Sequence, residues 1–360
     1  MSDSGITRLL IVDDSAYNRR HLANAFASVR EVEIVGKAAD GEEALRMAVL
    51  LKPDLITLDL EMPRMDGFTF LRILLSRQPT PVIVVSSYAQ KENVFKALEL
   101  GALDFVTKTD SLAMPDAVDL SQQLVAKVLE FRRSRGELGR PGMLRRLPSG
   151  IFGNPNVAVA TPAAAAHVAF RAPRYLVAIA SSTGGPSALL DIFGKLPRTS
   201  GAAFLVAQHM PDKFTRTFAE RLGRRGSIHV TEAQDGDRVS ATSGFVCPGR
   251  HCMEVHGSGA NLSLRVLAPL HSDRYVPNAD RLLASAAACA GARAVGVILT
   301  GMGDDGVEGA RAIRAAGGIV IAESAETAVV YGMPGAAVRA GIVTHELPLA
   351  QIGDFLARLA

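Results

Sequence analysis

In the first third of the chain, five short apolar and β-branched runs alternate with stretches of helical period. The runs are RLLIVD (8–13), VEIVGKA (32–38), DLITLD (54–59), PVIVVS (81–86) and DFVTK (104–108). The helical stretches are 15–29, 41–51, 66–77 and 91–100, with a last one near 116–134. Strands that alternate with helices pair as a parallel sheet with crossover helices. Five of each predict one doubly wound, flavodoxin-like α/β domain.

Past residue 131 the composition shifts. RRSRGELGRPGMLRRLPSGIFGNPNVAVATPAAAAHVAFRAPR is rich in Gly, Pro, Ala and Arg and carries no sustained period, which is the composition of a semi-flexible connector. From Tyr175 the alternation resumes with YLVAIAS, AFLVAQ, an irregular β-like stretch from about 228 to 266, AVGVILT and GIVIAES. The expected organisation is a first domain over 6–130, a basic linker over 131–173 and a second α/β domain with a mostly parallel sheet over 174–360. The chain has 39 Lys and Arg against 36 Asp and Glu, and the excess is local: residues 127–174 hold nine Lys or Arg against Glu130 and Glu137. Basic residues gathered in a connector, without a folded element and its aromatic or amide neighbours, do not suit nucleic-acid binding.

Functional groups in a doubly wound sheet gather at the carboxyl ends of its strands. There lie Asp13 and Asp14 after the first strand, Asp59 after the third, Ser86 and Ser87 after the fourth and Lys108 after the fifth. Three converging carboxylates without enough bases repel one another, so they require a hard divalent cation, best matched by Mg2+. Such a cation can bridge an incoming phosphoryl group and a carboxylate nucleophile, while a lysine and a hydroxyl neutralise the other phosphoryl oxygens. IVDDS, LDLEMPRMDGF, VVSS and DFVTK resemble the motifs of response-regulator receiver domains, over residues 6 to about 130. The resemblance implies Asp59 as the phosphoacceptor and Asp13, Asp14 and Asp59 as the Mg2+ site. It implies Ser86 as the switch hydroxyl, Phe105 as the switch aromatic and Lys108 as the phosphoryl contact. Thr109 follows Lys108 where that family usually carries proline.

In the second domain, YLVAIASSTGGPSALLDIF reads as strand, tight turn, helix. Pro186 suits a first helical turn, and the paired glycines permit a sharp bend. A serine on such a turn is exposed as a nucleophile when small residues lie two before and two after it. Ser182 has Ala180 and Gly184 there, whereas Ser181 has Ile179 and Thr183, which selects Ser182. AFLVAQHMP brings His209 to the end of the next strand as a base, and ILTGMGDDG supplies Asp304 and Asp305 as candidate orienting acids beside glycines with free amides. IASSTGGPSAL, QHMPDKFTRTFAERL, EAQDGDRV, CPGRHCMEV, VILTGMGDDGVEGA and VVYGMPGAAV are similar to the catalytic domain of the CheB family of chemotaxis methylesterases, over about 174–345. That resemblance implies a serine hydrolase, a protein-glutamate methylesterase and protein-glutamine glutaminase. Ser182 is then the nucleophile, His209 the general base and Asp305 the orienting acid, with the backbone at Met302 and the side chain of Thr183 as candidate oxyanion or substrate contacts. No cofactor is expected for the esterase. The implied partners are methyl-accepting chemoreceptors and a chemotaxis histidine kinase, and the unphosphorylated receiver is expected to cover the catalytic cleft.

The opening MSDSGITRLL lacks a basic-then-apolar signal, and no apolar run approaches the roughly 18 residues of a membrane helix, so a cytoplasmic protein without membrane insertion is expected. Three cysteines, Cys247, Cys252 and Cys289, are too few for a disulfide framework. Cys247, His251, Cys252 and His256 are spaced unlike paired zinc ligands and alternate across strand faces, so no zinc site is expected there.

Overall fold

Runs that are apolar at every position bury both faces and belong inside a parallel sheet covered by helices. The computed structural model describes residues 5–87, 91–108, 120–138, 171–198 and 200–359, and it contains two such sheets. The first comprises β1 (Thr7–Val12), β2 (Val32–Ala38), β3 (Leu55–Leu58), β4 (Val82–Ser87) and β5 (Asp104–Lys108). Its crossovers are α1 (Ala16–Ala25), α2 (Gly41–Leu51), α3 (Gly67–Arg77) and α4 (Lys91–Glu99), and α5 (Leu120–Leu138) closes the domain. The strand order is β2-β1-β3-β4-β5, every pairing parallel, as the alternation predicts. Ser15, Asp40 and Asp66 cap α1, α2 and α3 by accepting first-turn amides. Of the stretch read as a linker, 131–138 continue α5, and 139–170 lie outside the described residues, as does Thr109.

The second domain follows with β6 (Tyr175–Ser181), α6 (Gly185–Phe193), β7 (Ala202–Gln208), α7 (Asp212–Arg225), β8 (His229–Glu232) and β9 (Ser243–Val246). It continues with β10 (Cys252–His256), β11 (Ser263–Leu267), α8 (Ala279–Ala290), β12 (Ala294–Ile298), α9 (Val307–Ala315) and β13 (Ile319–Glu323). It ends with α10 (Met333–Arg339), β14 (His345–Leu347) and α11 (Leu349–Ala357). Seven strands run parallel in the order β14-β13-β12-β6-β7-β9-β8, while β10 and β11 form a separate antiparallel ribbon. The irregular β-like stretch thus resolves into the last two strands at one side of the main sheet, β9 and the edge strand β8, and this ribbon. Because β6 lies between β12 and β7, the three carboxyl ends carrying the serine turn, the histidine and the paired aspartates are neighbours.

The two domains share a hydrophobic core cluster. Phe95 of α4 lies 6.0 Å from Phe214 and 5.8 Å from Phe218 of α7, and Phe105 of β5 lies 4.7 Å from Phe214. Arg221 of α7 covers the Phe95 ring and pairs with Glu92 and Glu99 of α4. Buried aromatic side chains contribute on the order of 2 kcal/mol each, whereas ion pairs with exposed carboxylates contribute about 1 kcal/mol or less. The aromatic cluster therefore dominates this interface.

Candidate active site and phosphoacceptor site

β6 leads into a turn that Ser182 N–H, donating to Thr300 O at 3.1 Å, ties to the segment after β12. Gly184 takes φ +79, a conformation that side chains disfavour, and a Cβ on Gly185 would lie 2.1 Å from Gln208 Oε1. The paired glycines thus let the turn close against β7. Ser181 is fully buried, its hydroxyl donating to Gln208 Oε1 at 2.7 Å. Gln208 Nε2 in turn donates to Ser182 O and His209 O. Ser182 is half-buried, and its Oγ makes no hydrogen bond among the described residues. Of the two serines, Ser182 is the more exposed and the one whose hydroxyl is not tied to Gln208.

His209 follows β7, and its Nε2 lies 2.7 Å from Asp305 Oδ2. Asp305 is buried and further held by the amides of Ala279 and Asp280, at 2.8 and 3.1 Å. A carboxylate fixed by two amides and facing Nε2 places the imidazole proton there and leaves Nδ1 as the basic nitrogen. Asp304 points elsewhere, accepting from Tyr275 and Arg274, which separates the two acids that sequence alone left together. The Tyr275 ring stacks on His209, 5.3 Å between centroids and 6° from parallel.

Behind the turn lies a buried polar chain absent from the sequence reading. Glu323 accepts Thr300 N–H at 2.8 Å and the Thr327 hydroxyl at 2.9 Å. Thr300 Oγ1 donates to Thr183 O at 2.9 Å. Burial pushes the Glu323 carboxyl up to about 7, against the opposing effect of those two donors. No sequence signal marks Glu323, an acid at the end of one apolar strand among several.

The N-terminal domain reaches into this site. Thr183 Oγ1 donates to Asp104 Oδ2 at 2.5 Å, and Asp104 is also paired with Lys127 of α5. Met302 packs in a cluster with N-terminal-domain residues such as Phe131. Both candidate oxyanion or substrate contacts are thus engaged from across the domain boundary. Glu130 of α5 lies within electrostatic reach of His209; burial raises its pKa, with Lys127, Arg133 and His209 opposing. Asp104 escapes sequence analysis because it opens a strand rather than ending one and meets a residue 79 positions away.

At the other strand ends, Asp59 Oδ2 pairs with Lys108 Nζ at 2.5 Å, and Lys108 also reaches Asp13 at 3.0 Å. Burial raises the Asp59 pKa against the pull of Lys108. Burial depresses the Lys108 ammonium, but its bonds to Asp59 and Asp13 outweigh this and hold it above the ordinary lysine value. Asp13, Asp14 and Asp59 each offer a carboxylate oxygen within 4.8 Å of the others, with Asp14 exposed. An all-oxygen set with one open side fits a hard divalent cation that keeps some of its waters. Ser86 is buried at the end of β4, and Phe105 is buried against Phe214.

These features define a doubly wound domain with a carboxylate and lysine cluster at its strand ends, joined to an α/β domain bearing a serine, histidine and aspartate at adjacent strand ends. The CheB methylesterase family matches residues 177–356, and the response regulator receiver domain family matches residues 9–118. A protein-glutamate methylesterase/protein-glutamine glutaminase of Myxococcus xanthus is 45% identical over 100% of this chain and 99% of its own length. A Geobacter sulfurreducens protein of the same description is 46% identical over 93% of this chain and 92% of its own. The CheB methylesterase catalytic domain of Thermotoga maritima has a similar structure, at a TM-score of 0.50 and 35% identity, covering 52% of this chain and 98% of that one. The chain belongs to the CheB family of receiver-linked methylesterases. No described helix is long and apolar enough to cross a membrane.

Proposed function

We propose that this protein is a phosphorylation-activated esterase that hydrolyses glutamate methyl esters, and deamidates glutamines, on the cytoplasmic helices of chemoreceptors. The observation that carries the reading is the His209 Nε2 to Asp305 contact of 2.7 Å beside the Ser182 turn. His209 Nδ1 takes the Ser182 proton as Oγ attacks the side-chain ester carbonyl. The backbone at Met302 faces the oxyanion. Protonated His209 then gives its proton to the departing methoxide, releasing methanol and leaving an acyl-serine. Water, deprotonated by His209, attacks the acyl-serine and frees a glutamate carboxylate and Ser182. With a glutamine amide the leaving group is ammonia. Either product adds one negative charge to the receptor helix, which is a means of tuning its signalling.

Regulation acts through access. In the unphosphorylated state Asp104 occupies the Thr183 hydroxyl, and the Phe95, Phe105 and Phe214 contacts hold the domains together. Asp59 accepts a phosphoryl group from a histidine kinase, with Lys108 and Ser86 positioned to contact its oxygens. Asp13, Asp14 and Asp59 would hold Mg2+, which when bound neutralises charge between Asp59 and the incoming phosphoryl group. Phe105 lies on the strand that ends in Lys108 and touches Phe214, so a shift of its ring on phosphorylation weakens the cover and favours the open state. The test is methanol release from methyl-labelled chemoreceptor membranes with a small phosphodonor. Release that vanishes in Ser182→Ala supports the assignment; release retained in that variant contradicts it.

A further inference from the structure

The strongest feature outside the triad is the contact that closes one face of its histidine. The His209 and Tyr275 rings are stacked, 6° from parallel. Tyr275 Oη donates to Asp304 Oδ1 at 2.9 Å, and Arg274 both pairs with Asp304 and lies over the Tyr275 ring. A Cβ at Gly303 would lie 2.4 Å from Tyr275 Oη, and Gly303 holds φ +86. The segment between β12 and α9 is therefore built to receive this phenol, on the residues just before Asp305.

We propose that Tyr275 is a positioning residue for the His209 base, acting through its ring. The proposal rests on the esterase reading of the site. The Asp305 contact fixes one edge of the imidazole but leaves the ring free to turn about the line from Nε2 to Oδ2. A second ring lying parallel removes that freedom and fixes the direction in which Nδ1 points. Stacking also covers one imidazole face, and the negative face of the phenol ring favours the imidazolium formed as Ser182 gives up its proton. Four other charges bear on this region: Asp305 on the Nε2 edge, Glu130 from α5, and Asp304 with Arg274 beyond the phenol. Among the described residues, only the ring of Tyr275 meets the imidazole face to face.

The experiment uses the full chain, labelled at histidine nitrogens, as wild type, Tyr275→Phe, Tyr275→Leu and Tyr275→Ala. Two quantities are read: the His209 ring-nitrogen signals by NMR, and the kcat and KM for methanol release with a phosphodonor present. The Leu and Ala variants are expected to move and broaden the His209 ring signals and to lose about tenfold in kcat, the scale of one aromatic stack. KM is expected to stay within about twofold. Phe, which keeps the ring, is expected to restore most of kcat and the wild-type signals. A folded Leu or Ala variant whose His209 signals and kcat match wild type would overturn the proposal. Should Ala not fold, Leu retains the apolar volume without the flat ring and decides alone. The NMR signals need no turnover, so failure of the esterase reading appears separately, as wild type without Ser182-dependent release.

Discussion

Thr183 Oγ1 donates a hydrogen bond to Asp104 Oδ2 at 2.5 Å, so a side chain of the receiver domain holds the residue next to the candidate nucleophile. Asp104 is itself steadied by Lys127, and Glu130, one helical turn further along α5, lies within electrostatic reach of His209. In the proposed reading the receiver thus ties up a polar group beside Ser182 rather than only lying over it. A hydrogen bond to a charged group contributes about 1.5 to 3 kcal/mol when buried. Asp104→Ala is expected to raise the phosphodonor-free rate of methanol release by about fivefold or more and to shrink the further stimulation by phosphodonor. Initial rates with and without phosphodonor check this, and an unchanged basal rate would remove Asp104 from the cover.

The aromatic and ionic parts of the interface should differ in weight. Phe95 is fully buried and touches Phe214, Phe218 and Arg221, and truncating such a residue costs about 3 kcal/mol or more. Arg221 pairs with carboxylates that are 67% and 45% exposed, an arrangement worth about 1 kcal/mol or less. Phe95→Ala is expected to release basal activity well beyond Arg221→Ala, and raising the salt concentration to shift the wild-type basal rate only slightly. Basal methanol release across the two variants and a salt series measures both effects.

Metal removal should separate the two sites. The carboxylates of Asp13, Asp14 and Asp59 converge at the receiver, while the candidate triad uses no metal in the proposed reaction. Adding a chelator is expected to abolish stimulation by a phosphodonor and to leave the basal rate unchanged, as Asp59→Ala should also do. Stimulation that survives the chelator would contradict this division of roles.

Glu323 gives a pH dependence with a definite sign. Its folded pKa of about 7 lies above the ordinary 4.5, so its contribution is full below about pH 4.5 and lost as pH rises through 7. The penalty at pH 8 is on the order of 3 kcal/mol. Glu323→Gln keeps an acceptor for Thr300 N–H without the charge. The variant is expected to gain stability relative to wild type between pH 5 and pH 8, read from denaturant midpoints at the two values. A constant difference across that range would show that Glu323 does not titrate there.

Much of this was legible in the chain because parallel α/β sheets write their function at strand ends. IVDD, LITLD, AFLVAQH and VILTGMGDD each finish an apolar run with a chemical group, and the sheet orders bring those ends together. Small neighbours favour Ser182 over Ser181, which the structure buries against Gln208. Contacts made across the chain were not legible. Asp104 opens its strand, Tyr275 lies in a loop without period, and Glu323 ends an apolar strand whose neighbour Thr300 is set by topology alone. The β10 and β11 ribbon is blurred because each strand is only five residues long, and the short α10 because Pro334 and Gly335 break its period. Phe95, Phe214 and Phe218 look like ordinary core positions in amphipathic helices, and only the docked domains reveal that they face one another.

Occlusion is tested most directly by comparing methanol release from methyl-labelled chemoreceptor membranes by the unphosphorylated full chain and by the segment 174–360 at equal concentration. The segment is expected to be faster and indifferent to phosphodonor, with both rates abolished by Ser182→Ala. Equal rates from the two forms, with Ser182-dependent activity intact, would contradict a receiver that restrains the site through Asp104 and Thr183.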